Sequence, residues 1–147
     1  MKDCDFCDRD AFRAADVYFE NDHCLYASTR DPRDPVDVLP GCGVIIPIAH
    51  RLSPFDFTPE EWAATHELLL LAKGAQDARL SPDGYALIWN CYSEVGQSPL
   101  HAHLHVIPRF DDEPHADKGA RSAIKVAENV RPDPWARGRG RAEPRLS

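Results

Sequence analysis

The feature that most constrains this chain is a run of alternating histidines. His101, His103 and His105 occupy every second position and are separated by the apolar Ala102 and Leu104. Because successive side chains of a β-strand point to opposite faces, the spacing predicts a strand with three imidazoles on one face and an apolar face directed into a core. A strand of this kind indicates a functional groove rather than a purely structural element.

Two chemical interpretations of this run are open. Neutral histidine is a common ligand of zinc, copper and iron, so the imidazoles themselves could bind a catalytic metal. Alternatively, one imidazole is a nucleophile while its neighbours handle protons and charge. The second is favoured by preceding residues that supply an amide, a hydroxyl and a flexible turn, which suit phosphate oxygens better than a metal: Asn90, Gly96, Gln97 and Ser98.

A Cys-x-x-Cys pair, Cys4 and Cys7, lies near the start of the sequence. It fits a redox pair, half of a zinc site or two surface thiols. As half of a zinc site it needs two further ligands from elsewhere in the chain. The five cysteines are an odd number in an otherwise ordinary composition, which favours a reducing cytoplasm over a disulfide scaffold.

The composition predicts one globular domain followed by a tail. The chain has 147 residues, of which 43% are hydrophobic, enough for a single core. A formal net charge of −7 disfavours an extended nucleic-acid interface, and no apolar run approaches the length of a membrane span, so neither partner is expected. Residues 131–147 are rich in arginine and proline, which predicts a flexible segment. Trp135 within it is a candidate to dock on a partner subunit.

Short alternating or apolar segments predict the strands. Residues 17–20 and 23–29 have the pattern of a hairpin, and residues 43–48 that of a buried strand. A strand over 85–90 is expected to carry Asn90 towards the histidines and to pair antiparallel with the histidine strand.

The clearest helix signal begins at Thr58. This residue is a good N-cap, Pro59 suits the first helical position, and Glu61 completes a capping box, which predicts a helix ending at about Arg79. Leu70 lies outside its apolar arc, and the arc itself is expected in the core: Trp62, Ala64, Thr65, Leu68, Leu69, Leu71, Ala72 and Ala75. A second, short helix is expected over 119–130.

Taken together, these motifs resemble the histidine triad (HIT) superfamily of nucleotide hydrolases and transferases. The resemblance covers about residues 4–110. It is carried by Asn90, by the turn Gly96-Gln97-Ser98, and by His101-x-His103-x-His105 followed by two apolar residues. Two further segments are similar to the family: Pro40-Gly41 through Pro47-x-x-His50, and the Cys4-x-x-Cys7 start found in many bacterial members.

The resemblance implies an α+β, HIT-like fold, with a mainly antiparallel sheet of about five strands, one long helix and one short helix. The HIT-like domain is expected to cover residues 1–130, with 131–147 as the tail. A homodimer is also implied, in which Leu70 on the long helix is a candidate contact residue. By the same resemblance, a structural zinc ion is expected on Cys4, Cys7, His50 and His101.

For activity, the resemblance implies a hydrolase acting on a purine nucleotide or nucleotide conjugate, either a phosphoramidate or a dinucleoside polyphosphate. His103 attacks the α-phosphorus, and water then hydrolyses the nucleotidyl-histidine to a nucleoside monophosphate. His101 orders the histidines or binds zinc, and the reaction itself requires no metal. The phosphate oxygens are expected to be bound by His105, Asn90, Gly96, Gln97 and Ser98.

The chain departs from the family pattern where the ribose is bound. Family members commonly place Asp or Asn at the end of the second strand, and the aligned residue here is Thr29. Asp31, Asp34 or Asp37 in the following loop could take that role, and the sequence does not choose among them. This departure best supports the alternative function, a nucleotide-binding module with little turnover.

Overall fold

The structure, a computed structural model, describes residues 4–8, 17–29, 40–119, 125 and 127–129. Contacts divide the chain into two units, residues 1–116 and 117–147. In the second unit Ala127–Asn129 form a 3-10 turn. Several expectations fall outside the described residues: most of the helix over 119–130, the domain boundary at residue 130, and the tail with Trp135.

The first unit is built on a five-stranded, fully antiparallel sheet, which confirms the predicted fold class. Its strands are β1 (Val17–Glu20), β2 (Cys24–Ser28), β3 (Gly43–Pro47), β4 (Gly84–Trp89) and β5 (Leu104–Arg109), and its long helix is α1 (Pro59–Leu80). The spatial order is β1-β2-β3-β5-β4, so the central β3 and β5 lie side by side and β4 forms one edge. The predicted pairing of β4 with the histidine strand is confirmed.

Alternation along the strands gives the sheet two different faces. One face packs against α1 through a buried cluster of apolar residues: Cys24, Tyr26, Ile45, Ala64, Leu68, Ala72, Leu104 and Val106. The opposite face carries Leu25, Ala27, Val44 and Ile46, and Phe6 and Val17 pack against this second cluster. The register aligns Val44 with His105, so the second face is the one that carries the histidines.

Helix α1 begins as predicted. Thr58 is its N-cap, and the side chains of Thr58 and Glu61 each bond the other's backbone N–H, which confirms the capping box. The predicted core arc is too broad, because Trp62 and Leu71 are 47% and 45% exposed. A single sheet face covers only a narrow stripe of the helix, and these two residues lie on its flanks. No helix in the described part of the chain is long and apolar enough to cross a membrane.

The histidine strand begins later than predicted. Strand β5 starts at Leu104, so His105 lies within the ladder while His101 and His103 lie on the segment before it. The reason is the hydrogen bonding of the intervening backbone, where Ala102 donates to the carbonyl of Arg51 in a loop instead of to a neighbouring strand. Leu104 and Val106 are buried on the helix-covered face, as the alternation predicts.

Candidate functional site

The site forms where β5 begins, at the end of β3 and beneath the turn from Cys4 to Cys7. His103, on the segment that leads into β5, is buried, with 3% of its surface exposed. Its Nδ1 lies 2.8 Å from the backbone carbonyl oxygen of His101. A carbonyl oxygen only accepts, so Nδ1 carries the proton and Nε2 keeps its lone pair.

Burial also favours the neutral form of this ring. Desolvation lowers the pKa of His103, and the hydrogen bond to the His101 carbonyl opposes this effect only in part. A neutral imidazole with its proton held on Nδ1 is the form that can act as a nucleophile through Nε2. His105 lies beside it, with the ring centroids 4.8 Å apart and the planes at 70°.

His101 is completely buried, and its ring faces the two cysteines. Its Nε2 lies 2.9 Å from the carbonyl oxygen of Pro47, which places the proton on Nε2. The unprotonated Nδ1 then lies 3.4 Å from Cys4 Sγ and 3.5 Å from Cys7 Sγ. Burial lowers the pKa of His101, so this lone pair is available to a metal.

The four residues expected to bind zinc lie together. Ligand atoms of Cys4, Cys7, His50 and His101 all lie within 4.8 Å of one another, and His50 Nδ1 is 3.2 Å from Cys7 Sγ. Tetrahedral zinc with two sulfur and two nitrogen ligands requires sulfur–nitrogen separations of roughly 3.6 Å. The donor set and its spacing therefore fit a metal ion of this kind.

The loop between β4 and the histidines supplies the candidate phosphate groups. Gly96 adopts φ +81°, a conformation that favours glycine, and ends the 3-10 turn Ser93–Val95. Ser98 is exposed and Asn90 is half-buried, and neither side chain makes a hydrogen bond within the part of the chain that the structure describes. Both remain available to a ligand.

Gln97 differs from these neighbours because its side chain is buried and already engaged. Its Nε2 donates to the carbonyl of Leu52 at 2.7 Å, and its Oε1 accepts from the backbone N–H of Tyr92. Gln97 therefore braces this loop against the segment that follows His50. The expectation that Gln97 binds phosphate stays a prediction. The geometry indicates that Gln97 would act by holding the loop that carries the other phosphate-binding groups.

At the end of β2, Thr29 presents an unusual hydroxyl. Among the residues described, its Oγ1 is the one buried side-chain oxygen or nitrogen atom without a hydrogen-bond partner. Its backbone N–H donates to the carbonyl of Cys42, just before β3, so the pairing of β2 with β3 extends to Thr29. Strand alternation then places the Thr29 side chain on the face that carries the histidines. Asp31, Asp34 and Asp37 lie outside the described residues.

Sequence reasoning missed two supporting elements. Phe6 contacts both His101 and His103 with its ring, and its only sequence signal is its position between the two cysteines. Glu61, identified only as a cap, also forms an ion pair with Arg51 at 2.9 Å. This pair holds the loop whose Arg51 and Leu52 carbonyls accept from Ala102 and Gln97.

Comparison with known proteins agrees with this geometry. The HIT domain model matches residues 13–112, so the chain belongs to the histidine triad (HIT) family. A HIT-like protein from Synechocystis is 34% identical over 93 residues, covering 63% of this chain and 77% of that protein. The purine nucleoside phosphoramidase of Escherichia coli is 28% identical over 95 residues, covering 63% and 75% respectively. The family therefore includes hydrolases of nucleotide conjugates.

Solved structures show the same fold. A HIT family protein from Bacillus anthracis superposes with a TM-score of 0.67 at 26% identity, covering 86% of this chain and 89% of that one. A zinc-bound histidine triad family protein from Mycobacterium smegmatis has a TM-score of 0.62 at 25% identity, covering 77% and 79%.

Proposed function

We propose that this chain is a nucleotide hydrolase that cleaves a phosphoramidate or dinucleoside polyphosphate at the α-phosphorus. The observation that carries the proposal is the state of His103: a buried ring whose Nδ1 proton is held by the His101 carbonyl and whose Nε2 is unprotonated. The similarity to a purine nucleoside phosphoramidase supports a purine nucleotide conjugate as substrate.

In this mechanism His103 Nε2 forms a bond to the α-phosphorus, and the bond from phosphorus to the leaving nitrogen or oxygen breaks. The leaving group departs with the bonding electron pair and takes up a proton from solvent, which is balanced by the proton that water releases in the second step. The Nδ1–H···O=C bond to His101 becomes stronger as the ring gains positive charge, which stabilises the nucleotidyl-histidine. Water then attacks phosphorus, the phosphorus–nitrogen bond breaks, and a nucleoside monophosphate and neutral His103 result.

The remaining residues of the site stabilise the negative charge that develops on the phosphate oxygens. His105 beside His103, the Asn90 amide, the Ser98 hydroxyl and the backbone at Gly96 are the groups assigned to this role, with Gln97 bracing their loop. Removing one such donor typically lowers the rate by about 10²–10³. We assign the ribose contact to the Thr29 hydroxyl, which is buried and has no hydrogen-bond partner among the described residues.

We also propose that Cys4, Cys7, His50 and His101 bind a structural zinc ion, supported by their spacing and by the zinc-bound family structure. When bound, zinc would join the N-terminal turn to the segment that carries the histidines, without contacting the substrate. The five free thiols suit a reducing compartment, so a cytoplasmic location belongs to the same proposal.

A homodimer is the third part of the proposal. Strand β4 pairs only with β5 in the described sheet, so its outer edge has no strand partner. Trp62 of α1 packs on Trp89 at one end of β4, and Asp77 bonds Tyr85 at the other. Between these contacts Leu70 and Leu87 are 57% and 49% exposed, an apolar patch that a second copy would cover.

The test is AMP release from adenosine 5′-phosphoramidate and from a dinucleoside polyphosphate. Wild type should turn over at least one substrate, His103→Ala should lose at least about 10³-fold in kcat, and His66→Ala, an exposed histidine on α1, should retain full activity. Circular dichroism establishes that the variants are folded. Equal activity of wild type and His103→Ala would contradict the nucleophile, whereas AMP binding without turnover would support the binding module.

A further inference from the structure

Phe6 links the cysteine turn to the proposed nucleophile. Its ring meets His103 with centroids 5.2 Å apart and planes at 85°, and it meets His101 at 5.9 Å and 73°. Both are edge-to-face arrangements within the favoured range for aromatic rings. The same ring packs on the apolar cluster that contains Val44 and Ile46, so its position is fixed from the sheet side as well.

The orientation of His103 requires more than one restraint. The bond from Nδ1 to the His101 carbonyl sets the tautomer and anchors one edge of the ring. A ring held by one hydrogen bond can still pivot about that bond, which would move Nε2 relative to a bound phosphate. The ring contacts with Phe6 and His105 restrict this rotation.

Phe6 is itself placed by the residues on either side of it. Cys4 and Cys7 are joined by a backbone hydrogen bond of 2.9 Å from the Cys7 N–H to the Cys4 carbonyl, which forms the turn that projects Phe6. Their thiols face His50 and His101. Any ion that gathers these four ligands also fixes the turn, and with it the Phe6 ring.

We propose, on the basis of the function assigned to His103, that Phe6 is a positioning residue that aligns the nucleophile. The Cys4–Cys7 turn places the Phe6 ring in edge-to-face contact with His103, so the four candidate metal ligands and the proposed catalytic imidazole form one packed unit. Phe6 takes no part in bond making. It acts on the rate by limiting the directions in which His103 Nε2 points.

The kinetic test compares zinc-loaded full-length wild type with Phe6→Leu, Phe6→Tyr and Phe55→Leu. Phe55 is 80% exposed and outside the site, so it controls for the substitution itself. A lost edge-to-face contact corresponds to a factor of about 2–12, so kcat of Phe6→Leu should fall by about that factor with KM within about twofold. Phe6→Tyr, which keeps the ring, should recover most of the kcat.

Three kinetic or analytical results would overturn the proposal. An unchanged kcat in Phe6→Leu would show that His103 is aligned without Phe6. A raised KM with unchanged kcat would show that Phe6 contacts the nucleotide instead. Loss of zinc from Phe6→Leu, measured by metal analysis, would show that Phe6 stabilises the metal turn and not His103.

A second readout needs no substrate. In protein labelled at histidine, the NMR signals of the His103 ring should broaden or split in Phe6→Leu, while those of His50 remain sharp. Chelation of zinc from wild type should produce the same change at His103. Unchanged His103 signals in either experiment would overturn the proposal. If wild type releases no AMP, the proposed function fails, and these signals still decide the role of Phe6.

Discussion

The backbone of His101 and its side chain serve two different neighbours. Its carbonyl oxygen accepts the Nδ1 proton of His103 at 2.8 Å, while its own Nδ1 lies 3.4 Å from the Cys4 thiol. The candidate metal ligand His101 and the proposed nucleophile His103 are therefore separated in the chain by a single residue. A change at one of these sites is expected to alter the other.

The first prediction concerns the metal. Wild type prepared with zinc should contain one zinc per chain, and Cys4→Ser should contain essentially none. Because zinc binds only the folded chain, its loss should lower the free energy of unfolding by about 2.7 kcal/mol when free zinc is 100-fold above Kd. Metal analysis and urea unfolding measure the two effects.

Cys91→Ser is the matched control, because Cys91 lies outside the four-residue cluster. It should retain zinc and stability. Zinc retained by Cys4→Ser but lost when His103 and His105 are replaced would contradict the structural assignment and favour a metal bound by the histidine run.

The second prediction concerns acid stability. Burial alone raises the pKa of the Glu61 carboxyl, but hydrogen bonds from Arg51 and Thr58 and the Arg51 charge outweigh burial, so the pKa is lowered from 4.5. A carboxyl whose pKa is lowered in the folded state stabilises the fold at pH values above its pKa in the unfolded chain. This stabilisation disappears as the pH falls through its pKa in the folded protein.

Glu61→Gln should therefore cost about 1–2 kcal/mol at pH 7, since the partly exposed Arg51 side chain reduces the effect of a broken pair. The difference from wild type should shrink as the pH falls below 4.5. Urea unfolding at a series of pH values measures it, with Glu60→Gln as the exposed control in the same turn. A difference that is constant with pH would exclude the ion pair as its cause.

The third prediction uses the buried hydroxyl of Thr29. Thr29→Val should leave the folded protein equally or more stable, by up to about 1 kcal/mol, because it removes a buried polar atom that makes no hydrogen bond to the described residues. The matched Thr65→Val should destabilise by about 0.5–1.5 kcal/mol, because the Thr65 hydroxyl donates to the Glu61 carbonyl at 2.8 Å.

Substrate binding should weaken in Thr29→Val, although the stability of the fold should not. If its hydroxyl contacts the ribose, KM for a ribonucleotide substrate should rise about 2–12-fold in Thr29→Val with little change in kcat. A dideoxyribose substrate should show the same KM for both proteins. A rise in KM that persists with the dideoxy substrate would mean that the hydroxyl does not contact the sugar.

The fourth prediction tests the dimer. Light scattering should give wild type a mass of twice 16.5 kDa, and Leu70→Glu should give 16.5 kDa, because the substitution places a charge in the apolar patch with Leu87. Val95, in the loop before the histidines, is as exposed as Leu70, so Val95→Glu is the matched control and should remain dimeric. A monomeric wild type would contradict this interface.

The sequence predicted local features better than long-range ones. The capping box at Thr58 and Glu61 and the strands of the sheet depend on nearby residues, and they form as expected. The start of β5 does not depend on nearby residues, because the Ala102 N–H donates to the carbonyl of Arg51, 51 positions away in the sequence. The exposure of Trp62 depends on which helix stripe meets the sheet, and spacing alone does not set that.

The same distinction applies within the site. The residue types that could bind metal or phosphate were visible as motifs, and the fold brings Cys4, Cys7, His50 and His101 together. The direction of a side chain was not visible. Gln97 turns inward to bond the Leu52 carbonyl, and no local pattern distinguishes such a brace from a ligand.

The measurement that tests the central claim most directly is rapid quenching of a single turnover with a phosphoramidate substrate, followed by peptide mass spectrometry. We predict a nucleoside monophosphate attached to His103 that forms and then decays as AMP is released, and that is absent from His103→Ala. AMP formation with no adduct at any time point, or an adduct on His101 or His105, would contradict the assignment of His103 as the nucleophile.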